Sequence, residues 1–136
     1  MYLLDTNIVS EARKPRPNPA VLSWLASVPA EDLFLPAVVL GELQRGVEQL
    51  RRREPEKAAL IERWIDAIAS SYEVIPMDAA VFREWARLLE QHPGHLIVDA
   101  MIAATARVHR LTVVSRNVAD FERLRVAVLN PFTARR

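Results

Sequence analysis

The chain begins with Met1-Tyr2-Leu3-Leu4-Asp5-Thr6-Asn7, a short apolar run that stops at a carboxylate. The run predicts a buried strand over residues 2–4, which places Asp5 at the carboxyl end of that strand. Four more short apolar runs are predicted strands, separated by longer segments of helical period: residues 33–35, 73–75, 112–115 and 127–129. This alternation is typical of parallel strands joined by helices, so we predict an α/β fold.

Helix starts are marked by caps and prolines. Asn18-Pro19 offers a capping side chain followed by proline at the first helical position, Pro36 and Pro55 predict two further starts, and Asp78 predicts another cap. Two predicted helices carry apolar faces that we expect to cover the sheet: Leu60, Ile61, Trp64, Ile65 and Ile68 in one, and Val81, Phe82, Trp85 and Leu89 in the other. The three tryptophans are interpreted as packing anchors. The segment from His92 to His95 is predicted to be a loop.

Length and composition limit the function classes. The chain has 136 residues, of which 51% are hydrophobic and 26% charged, which is ordinary for one soluble domain over residues 1–136. It has no cysteine, no basic leader and no apolar run long enough to span a bilayer, so we expect a cytoplasmic protein that does not contact membranes. A formal net charge of +1 gives no overall nucleic-acid signal. Three basic clusters are typical of solvated surface and only weakly indicate phosphate contact: 13–16, 51–53 and 135–136.

Three carboxylates, Asp5, Glu42 and Asp99, stand in or beside apolar stretches without an evident cationic partner. Such groups protonate, find a cation or accept several hydrogen bonds when they are buried. If they converge, two charges about 4 Å apart repel by roughly 4 kcal/mol at an effective dielectric near 20, and a bound cation relieves that repulsion. The chain lacks cysteine and its histidines lack paired-ligand spacing, which argues against zinc or iron and favours Mg²⁺ or Mn²⁺ on oxygen ligands.

Each acid also has a simpler interpretation. Asp5 could cap the turn that follows it, Glu42 could form a buried ion pair with Arg45, and Asp99 could cap its own helix. Ligands collect outside the carboxyl ends of parallel strands, where Asp5 and the residues after the strand at 112–115 are expected to meet. A shared acidic pocket, suited to metal-assisted hydrolysis of a phosphodiester, is therefore the hypothesis that explains all three together.

Four motifs in chain order resemble the PIN-domain ribonucleases of the VapC toxin type, close to their FitB-like branch. They are Leu3-Leu4-Asp5-Thr6-Asn7, Gly41-Glu42-Leu43, the segment from Asp99 to Ala106, and Ser115-Arg116-Asn117 with Asp120-Phe121. The resemblance covers essentially the whole chain. It implies a three-layer α/β/α sandwich with a central parallel sheet, and Mg²⁺- or Mn²⁺-dependent endonuclease action on RNA.

The resemblance also assigns the acids. Asp5, Glu42 and Asp99 match the three core acidic positions of the family. Many relatives carry aspartate where this chain has Asn117, and others carry the fourth acid three residues later, where this chain has Asp120. We therefore expect Asp120 to help hold the metal. Asn117 is expected to support the site through hydrogen bonds, because an amide cannot supply the missing charge.

Four further residues are implied to support the acids or the substrate. Thr6, Asn7 and Ser115 are expected to orient carboxylates or ordered water, and Arg116 to contact substrate phosphate. The implied partners are RNA, a VapB-type antitoxin and a second toxin chain in a homodimer within the toxin-antitoxin complex, with operator DNA contacted only through the antitoxin.

Three other functions share part of this sequence pattern. A phosphatase of the haloacid-dehalogenase type expects a second aspartate two positions after the first, where this chain has Asn7. A receiver-like module expects a late lysine, but Lys57 is the last one. A PIN-like chain that binds RNA or an antitoxin without cleaving stays open, because of the ambiguity at Asn117 and Asp120.

Overall fold

The computed structural model describes residues 1–92 and 96–133, and these form five strands and seven α-helices. The elements follow the order β1 (Tyr2–Leu4), α1 (Thr6–Arg13), α2 (Pro19–Ser27), a 3-10 turn (Ala30–Asp32), β2 (Leu33–Pro36), α3 (Ala37–Arg51), α4 (Pro55–Ser71), β3 (Glu73–Ile75), α5 (Ala79–Gln91), α6 (Ile97–His109), β4 (Thr112–Val114), α7 (Val118–Arg123) and β5 (Val128–Leu129). Residues 93–95 of the predicted loop and the basic pair at 135–136 lie outside the described residues.

The strands form a single parallel sheet in the order β3-β2-β1-β4-β5. The chain moves outward from β1 through β2 to β3, and then returns to the other side of β1 for β4 and β5. The order therefore reverses between β1 and β4, which pair from Tyr2 with Thr112 to Leu4 with Val114. In open α/β sheets the crevice at such a reversal, outside the carboxyl ends of the strands, is where ligands bind.

The predicted fold class is confirmed, since the parallel sheet lies between helices in the three-layer α/β/α arrangement. The strand at 73–75 matches its prediction, whereas β2 extends one residue to Pro36, β4 ends at Val114 and β5 begins at Val128. The caps are confirmed: the Asn18 side chain accepts hydrogen bonds from Ala20 and Val21, and that of Asp78 accepts one from Val81.

The predicted apolar face of α4 was partly wrong. Leu60 is 60% exposed, and part of the helix packs against α3 in a small separate core of Val47, Ala58 and Ile65. Only the last turns of α4, around Ile68, reach the main core beside the sheet. The buried seam therefore follows residues 58, 61, 65 and 68, one step around the helix from Leu60.

The predicted face of α5 has a similar exception. Val81 is buried, but Phe82 is 43% exposed and packs edge-to-face on Trp85, with ring centroids 5.9 Å apart. All three tryptophans are half-buried against the main core, as expected of packing anchors. Within the described ranges, no helix combines the length and apolar character that a membrane span requires.

Candidate functional site

The candidate site is built around the ends of the two central strands. Asp5 directly follows β1 and Ser115 directly follows β4, and the Asp5 amide donates to the Val114 carbonyl at 3.0 Å. This hydrogen bond continues the parallel ladder one residue beyond the strands. Asp5 and Ser115 are thus side by side at the point where the strand order reverses.

The Asp5 carboxylate is buried and accepts three hydrogen bonds. The Thr6 amide donates to Oδ1 at 2.7 Å, and the Ser115 hydroxyl and the Asn7 amide group donate to Oδ2 at 2.7 Å and 3.2 Å. Burial nevertheless raises the pKa of Asp5, with a further contribution from the charge of Glu42, and the three donors only partly offset these effects. Asp5 does cap α1, as its simpler interpretation predicted, but capping does not account for the contact with Ser115, which follows the neighbouring strand β4.

Ser115 ties the loop after β4 to Asp5. Its buried hydroxyl donates to Asp5 and accepts hydrogen bonds from the Asn117 amide at 2.9 Å and from the Asn7 side chain at 3.3 Å. One donated and two accepted bonds use the full capacity of a hydroxyl group. The side-chain oxygen of Asn7 in turn accepts from the Arg116 amide at 3.2 Å. Asn117 thus contributes its backbone to this network, while its side chain is exposed.

Glu42 lies on α3 and reaches the site through Thr6. The Thr6 hydroxyl donates to Oε1 of Glu42, so Thr6 contacts Asp5 with its amide and Glu42 with its side chain. The apolar residues before Glu42 predicted a shielded side chain, but the structure leaves it exposed, because Val39 and Val47 define the buried face of α3. The alternative buried ion pair with Arg45 is therefore wrong.

Asp99 occupies the third position of α6 and is half-buried. The residue before the helix is Leu96, in the left-handed region at φ 44°, and no side chain caps this helix end within the described residues. The interpretation of Asp99 as a cap is therefore wrong. Burial, and then the charges of Asp5, Asp120 and Glu42 in that order, raise the pKa of Asp99 to about 6. Asp5, Asp120 and Glu42 therefore all lie within electrostatic reach of Asp99.

Asp120 lies in the first turn of α7, with its side chain 33% exposed and Oδ1 4.0 Å from an Arg123 nitrogen. Its charge contributes to the raised pKa of Asp99, whereas Asn117 carries no charge. Of the two candidates for the fourth acidic position, Asp120 is the one that adds to the shared negative charge.

The side chains of the site have the oxygen donors that a hard divalent cation requires. The four acids offer carboxylate oxygens alone, which suits Mg²⁺ or Mn²⁺. Within residues 1–92 and 96–133, however, no three acidic or histidine side chains converge to ligand spacing. Burial is the larger cause of the raised pKa of Asp99, and repulsion from Asp5, Asp120 and Glu42 adds to it. The chemistry of the donors, although not their spacing, fits a divalent cation.

Two residues beside the site were missed from the sequence. Glu11 is buried on α1, where it accepts from the Asn18 amide at 2.8 Å and from Lys14 at 2.9 Å, and lies 3.9 Å from Arg116. Phe132 stacks beneath Arg116. Glu11 follows buried Ile8 by three positions, a spacing that places an acid on a buried face and could have drawn attention to it.

Comparisons with known proteins agree with this architecture. The PIN domain family matches residues 2–127. Toxin FitB of Neisseria gonorrhoeae is 37% identical over 138 residues, covering 97% of this chain and 99% of that protein. VapC ribonuclease Y4jK of Sinorhizobium fredii is 34% identical over 139 residues, covering 97% and 98%. The solved structure of FitAB bound to an IR36 DNA fragment contains a chain that is 32% identical, with a TM-score of 0.88 and coverage of 100% and 99%.

Proposed function

The chain belongs to the PIN-domain family, and on that premise we propose that it is a metal-dependent endoribonuclease, the toxin of a type II toxin-antitoxin system. The whole of residues 1–136 acts as one nuclease domain in the cytoplasm. It hydrolyses RNA phosphodiester bonds.

The observation that carries this proposal is the hydrogen-bonded grouping of Asp5 with Ser115 and, through Thr6, with Glu42 at the carboxyl ends of β1 and β4. Asp99 lies within reach of this group, because burial first and then the charges of Asp5, Asp120 and Glu42 raise its pKa. Nearby like charges destabilise a folded chain when no countercharge neutralises them, so three acids within reach of Asp99 favour a functional explanation. A divalent cation with oxygen ligands is the partner that this charge and donor chemistry fit.

The metal role is assigned to the four acids. Asp5 and Asp99 hold the principal ion, and Glu42 and Asp120 complete its negative surroundings. When bound, Mg²⁺ or Mn²⁺ activates water and neutralises charge on the phosphate. Asp5 suits this role because its hydrogen bonds to Thr6, Asn7 and Ser115 fix the carboxylate before any ion arrives.

The supporting residues act on the carboxylates. Ser115 and Asn7 fix the orientation of Asp5, and the Thr6 hydroxyl directs the otherwise exposed Glu42 side chain towards Asp5. Such hydrogen bonds to metal ligands commonly contribute 10- to 100-fold in metal affinity or activity. Arg116 contacts the substrate from the rim, and Asn117 supports Ser115 through its backbone amide.

The protein partner is a VapB-type antitoxin that holds the toxin inactive, in a complex that contains a toxin homodimer. Operator DNA is contacted through the antitoxin. Support comes from relatives named as toxins and from the likeness to a chain of FitAB bound to DNA.

Cleavage of RNA tests the enzymatic proposal. Purified protein should cut single-stranded or looped RNA when Mg²⁺ is present, and Asp5→Asn or a chelator should abolish cutting. Asp66→Asn removes a carboxylate from an exposed position on α4 and should retain full activity. Cleavage that persists in Asp5→Asn, or in the presence of chelator, would contradict the mechanism. Tight RNA binding by the parent without cleavage would favour the non-catalytic alternative.

A further inference from the structure

Arg116 is held by two partners at the rim of the acidic site. Its guanidinium carbon lies 3.9 Å from the centroid of the Phe132 ring, and one terminal nitrogen lies 3.9 Å from Oε1 of Glu11. The side chain is nevertheless 54% exposed. The ring lies against one side of the guanidinium and the carboxylate lies near one of its edges, so we infer that its exposed surface is on the side turned away from both.

Glu11 is a fixed anchor for this arrangement. Its side chain is 7% exposed, and it accepts hydrogen bonds from the Asn18 amide at 2.8 Å and from Lys14 at 2.9 Å. The Asn18 bond links Glu11 to the start of α2, where Asn18 is the cap. A carboxylate held in this way can restrain a long arginine side chain and so lower the entropy that the side chain loses when it binds a ligand.

The Arg116 backbone is connected to the acids by two short routes. Its amide donates to Asn7 at 3.2 Å, and Asn7 donates to Asp5 at 3.2 Å. The preceding residue, Ser115, donates directly to Asp5 at 2.7 Å. The Arg116 side chain therefore extends from a backbone segment that is hydrogen-bonded to Asp5 through Asn7 and Ser115, which places its start at the rim of the acidic site.

We propose that the flat face of Arg116, supported by Phe132 and Glu11, is a stacking platform for one unpaired base of an RNA substrate. This inference rests on the proposed ribonuclease function and specifies its substrate as single-stranded at that nucleotide. Bases in a duplex are already stacked on their neighbours, whereas an unpaired base is free to stack on an arginine plane. Glu11 and Phe132 are positioning residues in this arrangement.

The contacts of Arg116 favour a base over a phosphate. A phosphate is bound by the N–H donors along the edges of the guanidinium, and one edge already faces Glu11. The negative charge of Glu11 also weakens attraction for a phosphate at that edge. Among the described residues, Phe132 is the one ring that lies against Arg116, and stacking of a base on the opposite face does not depend on which base is present.

Binding by a non-cleaving variant tests the platform. In an Asp5→Asn background with Mg²⁺ present, fluorescence anisotropy gives the dissociation constant for a single-stranded oligoribonucleotide. Arg116→Lys should raise that constant about 5- to 100-fold, since lysine keeps the charge but has no planar face. Its dependence on salt should stay that of the background, because the charge is retained. Phe132→Leu should cause a smaller rise.

Two matched controls separate stacking from general effects. Arg63→Lys makes the same change at an exposed position on α4, and Phe82→Leu removes an exposed ring on α5, and neither should alter the dissociation constant. Circular dichroism melts check that every variant is folded. If Arg116→Lys leaves the dissociation constant of the Asp5→Asn background unchanged, the platform is ruled out and Arg116 contributes only its positive charge.

Abasic nucleotides give the second test. For the Asp5→Asn protein, one abasic position beside the cleavage site should raise the dissociation constant as much as the Arg116→Lys substitution does. For the protein that carries both Asp5→Asn and Arg116→Lys, the abasic position should cause no further rise. Equal abasic losses with and without Arg116→Lys would contradict the proposal, as would a failure of the Asp5→Asn protein to bind the oligonucleotide. Failure of the proposed enzyme function is seen separately, as absence of cleavage by the unmodified protein.

Discussion

Replacing Asp99 with asparagine should stabilise the metal-free protein. The pKa of Asp99 is raised from an ordinary 3.8 to about 6, and each pKa unit corresponds to about 1.4 kcal/mol. Ionising Asp99 therefore costs the folded state at most about 3 kcal/mol at neutral pH. Because the side chain is only half-buried, water and salt screen its neighbours, and about 1–2 kcal/mol is the expected gain. No hydrogen bond to the Asp99 carboxylate within residues 1–92 and 96–133 would be lost.

The gain should depend on pH in a defined direction. Between about pH 3.8 and pH 6 the folded chain keeps a proton on Asp99 that the unfolded chain has released, so the stability of the parent falls as pH rises. Below this window both states are protonated and the cost is absent. Asparagine does not titrate there, so the advantage of the variant should vanish near pH 4 and be complete above about pH 6.5.

Thermal melts with a chelator measure this effect, and 1–2 kcal/mol corresponds to roughly 3–8 °C for a chain of this size. Magnesium at a hundredfold excess over its dissociation constant should stabilise the parent by about 2.7 kcal/mol, and Asp99→Asn should lose most of that gain. Asp66→Asn serves as the matched control on an exposed helix position. A melting temperature that falls in Asp99→Asn, or equal magnesium gains in parent and variant, would refute the reasoning.

Three further substitutions separate the site from the scaffold. Ser115→Ala removes the buried hydrogen-bond donor to Asp5. Denaturant unfolding should show a free energy of unfolding lower by about 1–3 kcal/mol, and titration should show a magnesium affinity weaker by about 10- to 100-fold. Unchanged values of both quantities would contradict the role of this hydrogen bond. Thr6→Val keeps the hydrogen bond from the backbone amide to Asp5 but loses the exposed one from the hydroxyl to Glu42. The free energy of unfolding should change by less than about 1 kcal/mol, while magnesium affinity should fall about 10-fold. An unchanged affinity would contradict the role of Thr6. Arg110→Gly relieves a left-handed residue at φ 56° after α6 and should raise the unfolding free energy by about 0.5–1 kcal/mol without changing cleavage; lower stability would show that the Arg110 backbone is not strained.

The fold was predictable because local signals agreed with the tertiary structure. Each apolar run of strand length became a strand of one parallel sheet, and Asn18 and Asp78 capped the helices that they were predicted to cap. The exception at Leu60 has a physical origin. Helical periodicity locates an apolar face but does not reveal that α4 packs partly against α3, which turns its buried seam by one residue.

The position of Asp5 could be predicted for a different reason. A residue that ends a short buried strand must lie at the carboxyl edge of a parallel sheet, and Ser115 ends the neighbouring strand by the same logic. Glu11 and Phe132 do not end paired central strands, so their contacts with Arg116 could not be predicted in this way. Those contacts join α1, the loop after β4 and the segment after β5. Contacts of this kind depend on loop conformation, which spacing along a helix or strand does not determine.

The start of α6 combines a strained backbone with a crowded charge. Leu96, just before the helix, is in the left-handed region at φ 44°, and three residues later Asp99 lies within reach of the charges of Asp5, Asp120 and Glu42. The left-handed backbone of Leu96 and the charge of Asp99 each destabilise the metal-free protein, by up to about 3 kcal/mol. A cation held by these acids would offset the electrostatic part of this cost, so the metal-free protein is the state in which relief of the charge at position 99 should be largest.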